Sequence, residues 1–273
     1  MKVMPRSSLE DAIELLHITD THLFGDVDGS LLSVNTLDSF KAVINGVMNQ
    51  NSSFDVILST GDISQDHSAK SYELFEEHII PLKQHCFWLP GNHDFKPSME
   101  ALLPSRQVKQ STHVLLGDHW QMILLDSQVV GVPYGHLAEE QLELLEEKLS
   151  ASPERYSLVL LHHPPVLVGS QWLDQHTLKN SDDFWKRVSK YPNVKGIICG
   201  HVHQEVDVYC HNVRVLATPS TCVQFKPNSD TFALDALSPG WRQITLRNNG
   251  DLSTSVRRLT QGQFQPNFNS TGY

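Results

Sequence analysis

The sequence is short of cysteine, short of positive charge and without long apolar runs. Its four cysteines, Cys86, Cys199, Cys210 and Cys222, form no CxxC pair. That spacing argues against a thiolate zinc knot and against a disulfide framework, and fits reduced, buried thiols in a cytoplasmic protein. The longest apolar runs reach only about six residues, too few to span a bilayer. The first residues, "MKVMPRSSLEDAIE", carry no apolar core of a signal peptide. Lysine and arginine total 21 against 31 acidic residues, for a formal charge of −10. Such a chain is a poor general ligand for nucleic acid or an anionic membrane. An anionic substrate would need a local source of positive charge.

The chain does have a substantial apolar fraction, 40%, in 273 residues. That suffices for a large core and excludes a disordered chain. Six short runs rich in Val, Ile and Leu read as buried strands, at 13–20, 55–62, 86–94, 121–127, 157–165 and 196–203. Between them the spacing of Leu37, Phe40, Ile44 and Val47 predicts a helix. So does that of Tyr72, Phe75 and Ile79, and that of Leu142, Leu145 and Leu149. Phe184, Trp185 and Val188 predict another, capped by Ser181. The last third reads as hairpins, turning at His211-Asn212 and near Asn249-Gly250. The expected fold is a single α/β domain over 1–273. It is a four-layer α/β/β/α sandwich, with two mixed sheets face to face and helices outside. Residues 1–12 and 263–273 are expected at its periphery, the latter as a loosely held tail.

There are also 15 histidines, and their placement is informative. Five of the six apolar runs end in residues able to hold a metal. These are Asp20-Thr21-His22, Gly61-Asp62, Gly91-Asn92-His93-Asp94, His162-His163-Pro164 and Gly200-His201-Val202-His203. The carboxyl ends of neighbouring strands in an α/β sheet converge on one crevice, so residues from 20 to 203 can meet there. Each piece alone is more often structural than not; their joint occurrence at strand ends points to a site. The donors are carboxylate, imidazole and amide, which suits iron, manganese, cobalt or zinc in an open catalytic site. Two Asp, one Asn and four His are too many for one ion and suit two, with Asp62 bridging. Two ions leave the site about +2 to +3, the cation an acidic chain needs to hold a phosphate. A hydroxide acidified by both is the natural nucleophile.

As a set, D-x-H, GD, GNHD, a strand-end H-x-P and GHxH resemble the motifs of the calcineurin-like metallophosphoesterases. "LPGNHD", "LLHHPP", "WLDQHTLKN" and "ATPSTCVQFKP" further resemble the bacterial class III cyclic AMP phosphodiesterases, from about Ile13 to the end. The resemblance implies hydrolysis of 3′,5′-cyclic AMP to 5′-AMP, with a broader phosphodiesterase or phosphomonoesterase as the alternative. It implies two metals, iron with manganese or a second iron, with zinc, cobalt or magnesium able to substitute. One would be held by Asp20, His22, Asp62 and His203, the other by Asp62, Asn92, His162 and His201. His162 is favoured over His163 as the ligand. Asp62 and His93 would be catalytic, His93 facing the phosphoryl oxygens or the leaving O3′. His22, Asn92, His93 and His203 would line the substrate. Asp94 would fix the turn and Asp66 would orient His93. Trp172, His176 or Phe225 would either stack on a base or serve as packing. The partner would be a small cyclic nucleotide, with no nucleic acid and no membrane, the location cytoplasmic and the oligomeric state open.

Overall fold

In the computed structural model, residues 1–4, 12–50 and 53–272 are described; most of the N-terminal segment expected at the periphery lies outside them. The strands are β1 Ala12–Ile18, β2 Val56–Ser59, β3 His85–Trp88, β4 Val108–Gln110, β5 His113–Leu116 and β6 Trp120–Leu124. They continue as β7 Tyr156–Leu160, β8 Val194–Cys199, β9 Val206–Cys210, β10 Val213–Ala217, β11 Gly240–Arg247 and β12 Leu252–Arg258. The helices are α1 Thr36–Asn49, α2 Ala69–Ile79, α3 Lys96–Leu102, α4 Glu139–Ala151, α5 Gln171–Asp174 and α6 Ser181–Val188. One sheet runs β12-β11-β1-β2-β3-β4, and the other runs β5-β6-β7-β8-β10-β9 with Lys2–Val3 added at the β5 edge. β1 to β4 are mutually parallel, as are β6, β7, β8 and β10; β11, β12, β5 and β9 enter antiparallel.

The two-residue period of each strand sorts its side chains between layers. Leu15, Val56, Leu58 and Phe87 of one sheet meet Met122, Leu158, Leu160 and Ile198 of the other in the central layer. Leu16, Ile18, Ile57 and Cys86 face outward onto Phe40, Ile44, Tyr72 and Phe75 of α1 and α2. Ile123, Val159 and Ile197 face outward onto Leu142, Leu145, Phe184 and Val188 of α4 and α6. Strands buried on both faces read as unbroken apolar runs, and this is the four-layer sandwich expected. The hairpin at 211–212 turns with φ of 49° and 63° at His211 and Asn212, as a two-residue turn requires.

Three details differ from the expectation. The residue preceding α6 is Asn180, not Ser181, which is the first helical residue. The Asn180 side chain is engaged instead with Leu137, accepting from its N–H and donating to its C=O. Strands β4 and β5 were not anticipated, being only three and four residues long. The tail is also held: Pro266 is buried and Asn267 N–H donates to Leu32 C=O at 2.8 Å.

Candidate metal centre

The loops after β1, β2, β3, β7 and β8 converge at one end of the two sheets. The structure brings Asp20, His22, Asp62, Asn92, His162, His201 and His203 together there, with His93 at the edge. Asp20, His22 and His203 have donor atoms within 4.8 Å of one another, as do Asp20, Asp62 and His162. So do His22, Asp62 and His93, and also His162, His163 and His201. Asp62 therefore stands between groups, as a bridging position requires.

The backbone is bent to make this happen. Asp20, His22, Asp62, His201 and His203 all have left-handed φ, between 45° and 71°. A non-glycine residue held there costs on the order of 1–2 kcal/mol, and such strain concentrates at functional sites. Neighbouring glycines let the segments close up. A Cβ on Gly91 would lie 2.1 Å from Asp62 Oδ1, and one on Gly200 would lie 2.3 Å from Thr19 Oγ1 and 2.8 Å from Asp20 Oδ2.

Hydrogen bonds fix the donors. Asp20 accepts from His201 N–H at 3.1 Å with both oxygens, and Asp62 Oδ1 accepts from His93 N–H at 2.8 Å. Asp94 accepts from the N–H groups of Gly91, Ile63 and Ser64 and from the Tyr72 hydroxyl. Burial, with the Asp62 charge adding, pushes its pKa up to about 7. Gln128 clamps the same turn from the other sheet, donating to Gly91 C=O at 2.7 Å and to Asp94 C=O at 2.6 Å. Asp66 is taken up by Gly25 and Ser68, so its local partners account for its carboxylate. Burial raises its pKa, and these hydrogen bonds outweigh that and lower it.

The imidazoles test whether metal fits. His22 Nδ1 donates to Gln65 Oε1 at 2.7 Å, and His203 Nδ1 donates to Val223 C=O at 2.9 Å. Their Nε2 atoms lie 3.0 Å apart. With each ring's proton on Nδ1, two lone pairs face each other. Burial, against the opposing pull of Asp62, lowers His22 to about 3, so His22 does not supply a proton between them. His162 Nδ1 donates to Thr60 C=O at 2.6 Å. Its Nε2 points at two acceptors, Asp62 Oδ2 at 3.2 Å and Asn92 Oδ1 at 3.1 Å. Burial alone would lower His162, yet the Asp62 carboxylate lifts it to about 9 by favouring positive charge on the ring. His201 Nε2 is buried without a partner; burial and then His163 and His162 hold it well below the usual imidazole range. Asp20 and Asp62 are held low by the facing histidines, against the desolvation that opposes it. Acceptors facing acceptors is the donor chemistry of a metal site, and the residues fit two ions.

His163 is separate. Its Nδ1 and backbone N–H are both engaged with Ser127 Oγ, at 2.9 and 3.4 Å, and burial holds its pKa well below 6.5. Beside the centre lies a cavity of about 440 Å³, lined by Asn92, His93 and His201 at one end. Trp172 and His176 line it. Phe225 does not: it is 1% exposed and stacks on His203 at 4.3 Å and 14°. Phe232 lines the cavity in its place. Gln65, Ser127, Gln128 and Phe232 were missed from sequence, since a lone amide, hydroxyl or ring in a loop carries no pattern.

The chain resembles known proteins in sequence and in fold. The family model described as calcineurin-like phosphoesterase matches residues 13–205. The chain is 60% identical over 264 residues to the 3′,5′-cyclic adenosine monophosphate phosphodiesterase CpdA of Vibrio vulnificus (strain CMCP6), covering 97% of this chain and 96% of that one. It is 48% identical to CpdA of Escherichia coli (strain K12), over the same shares of each. Among solved structures, a dimetal phosphatase from Danio rerio aligns with a TM-score of 0.64 at 14% identity, covering 89% of this chain and 98% of the other. That last likeness concerns the fold.

Proposed function

The chain belongs to the calcineurin-like phosphoesterase family, and from that premise we propose that it hydrolyses 3′,5′-cyclic AMP to 5′-AMP. The observation that carries this reading is 60% identity, across 97% of the chain, to a cyclic AMP phosphodiesterase. The convergent donor set is what such a reaction needs.

One ion would be held by Asp20, His22, Asp62 and His203, the other by Asp62, Asn92, His162 and His201. Iron with manganese, or a second iron, suits this carboxylate, imidazole and amide set; zinc, cobalt and magnesium are the substitutes. Bound there, two ions supply Lewis acidity and a water of lowered pKa. The chain supplies the rest. Asn92 is a neutral ligand where an Asp would cancel charge that the phosphodiester needs. His93 is half-buried, its ring 5.1 Å from that of His22, and its backbone is tied to Asp62. Water adds to phosphorus and gives up a proton, the P–O3′ bond breaks, and O3′ takes up one proton from His93 or from solvent, with His93 also placed to stabilise the phosphoryl oxygens. His22, Asn92, His93 and His203 face the substrate. Gln65, Thr60 C=O and Val223 C=O fix which nitrogen each histidine offers. None of the described helices is long and apolar enough to cross a membrane, and four unpaired thiols accord with a cytoplasmic location.

Product analysis tests the reading. Protein loaded with iron or manganese is incubated with cyclic AMP and, separately, with bis(p-nitrophenyl) phosphate. Release of 5′-AMP, lost in Asp62→Ala, is expected. Hydrolysis of the aryl diester alone would replace the cyclic nucleotide with a broader phosphodiester substrate.

A further inference from the structure

The cavity beside the metal centre is two different surfaces. Its inner end is Asn92, His93 and His201, all polar. Its outer walls come from four separate segments: Gly131–Pro133 after β6, Trp172, Leu173 and His176 around α5, Phe232 before β11, and Gly272 in the C-terminal tail. At 440 Å³ it falls within the span of about 300–1,000 Å³ usual for small-ligand sites. Trp172 and Phe232 are half-buried where Phe225 behind them is fully buried. Trp172 is braced edge-on by Phe225 at 5.0 Å and 79° and by Phe232 at 5.2 Å and 66°. Phe232 is braced in turn by Phe225 at 5.8 Å. Rings fixed in this way are an ordered stacking surface that need not be immobilised when a flat ligand arrives.

We infer that these outer walls, Trp172 and Phe232 foremost, are the slot for the nucleobase, and that base stacking here sets substrate preference. The inference rests on the cyclic nucleotide reading above and names the part of the site that would enforce it. A phosphodiester at Asn92 and His93 directs the rest of the molecule outward along the cavity, and the outer walls offer aromatic and aliphatic surface. His176 is the polar side chain of those walls. Burial and then Lys179 lower its pKa, so at neutral pH it is a neutral imidazole able to meet a purine ring nitrogen.

The test compares two ligands that differ only by the base, 5′-AMP and ribose 5-phosphate, by calorimetry on the metal-loaded full chain. The wild-type protein is expected to bind 5′-AMP roughly 10- to 100-fold more tightly, the range for stacking on one or two rings. Trp172→Ala and Phe232→Ala should each remove at least roughly fivefold of that ratio. Affinity for ribose 5-phosphate should stay unchanged, and Trp172→Phe should keep most of the ratio. Equal binding of the two ligands by the wild-type protein would overturn the slot. So would ratios that survive in both alanine variants, or a parallel loss for both ligands, which would make the rings packing alone. Turnover of cyclic AMP is read separately. A protein that favours 5′-AMP but does not cleave cyclic AMP loses the functional reading and keeps the slot. One that cleaves it while binding both ligands equally keeps the function and loses the slot.

Discussion

Two buried polar clusters lie side by side between the sheets, and they are built on opposite terms. In the first, Thr60 donates its hydroxyl to Thr19 Oγ1 at 2.8 Å, so His17 Nε2–H donates to Thr60 Oγ1 at 2.8 Å. His17 Nδ1 accepts from the Thr218 hydroxyl at 2.6 Å. Arg242 is 1% exposed and donates to Thr218 Oγ1, Thr254 Oγ1, Val206 C=O and Ala217 C=O. Burial pulls Arg242 down to about 10 and His17 to about 3. Each of these side chains has a hydrogen-bond partner within the fold. In the second, the metal centre, lone pairs meet lone pairs and carboxylates. Thr60 belongs to both: its hydroxyl serves His17 and its carbonyl orients His162. A polar cluster that is satisfied within the fold is structural, whereas one that is not satisfied needs a ligand to complete it.

The largest expected effect comes from breaking the unsatisfied cluster. Asp62→Ala should lower kcat on bis(p-nitrophenyl) phosphate by at least roughly 10³-fold, the loss of several kcal/mol of charge stabilisation. Bound metal, by elemental analysis, should drop to one ion or fewer per chain. Full occupancy with full activity would remove Asp62 from its bridging place.

Gly91→Ala attacks the same cluster through the backbone, since its Cβ would lie 2.1 Å from Asp62 Oδ1. A misplaced ligand of this kind should lower kcat by on the order of 10²-fold. Wild-type turnover in that variant would mean the turn can shift freely.

His17→Gln sharpens the contrast through pH. The folded pKa of His17, about 3, lies below its ordinary 6.5, so the unfolded chain binds the extra proton first. Its contribution is therefore fully present above pH 6.5 and is lost as pH falls toward 3. Between pH 7 and pH 5 the wild-type protein should lose about 2 kcal/mol from this group, read as a shift in urea midpoint. The variant should lack that part of the slope while retaining its metal. An unchanged slope would show that His17 does not carry it.

The smallest effect concerns thiols outside both clusters. Burial raises the pKa of Cys86, Cys199 and Cys222, so native protein should leave them unmodified by a thiol reagent. Half-buried Cys210 should react first. Rapid labelling of all four would show that the outer layers open easily.

Much of the candidate metal centre was legible in the sequence because each candidate ligand closely follows an apolar run, and strand ends in this architecture share one edge. The choice of His162 over His163 was suggested by resemblance, and the structure groups both imidazoles with His201. The Thr60 carbonyl turns His162 Nε2 toward Asp62 and Asn92, while Ser127 engages His163. Phe225 was misjudged as a base platform because an aromatic residue in a loop looks the same whether it faces a cavity or backs a histidine.

By itself, then, the sequence determined the layers, the strand ends and the identity of the donors. Strand period, helix period and residue chemistry are local properties. Only the tertiary structure decided the tautomers, the left-handed bends at Asp20, His22, Asp62, His201 and His203, and which rings face the cavity. Each of these depends on partners far away in the chain, such as Val223 for His203 or Gln128 for the turn at Gly91, and contacts between sheets leave no periodic trace along either strand.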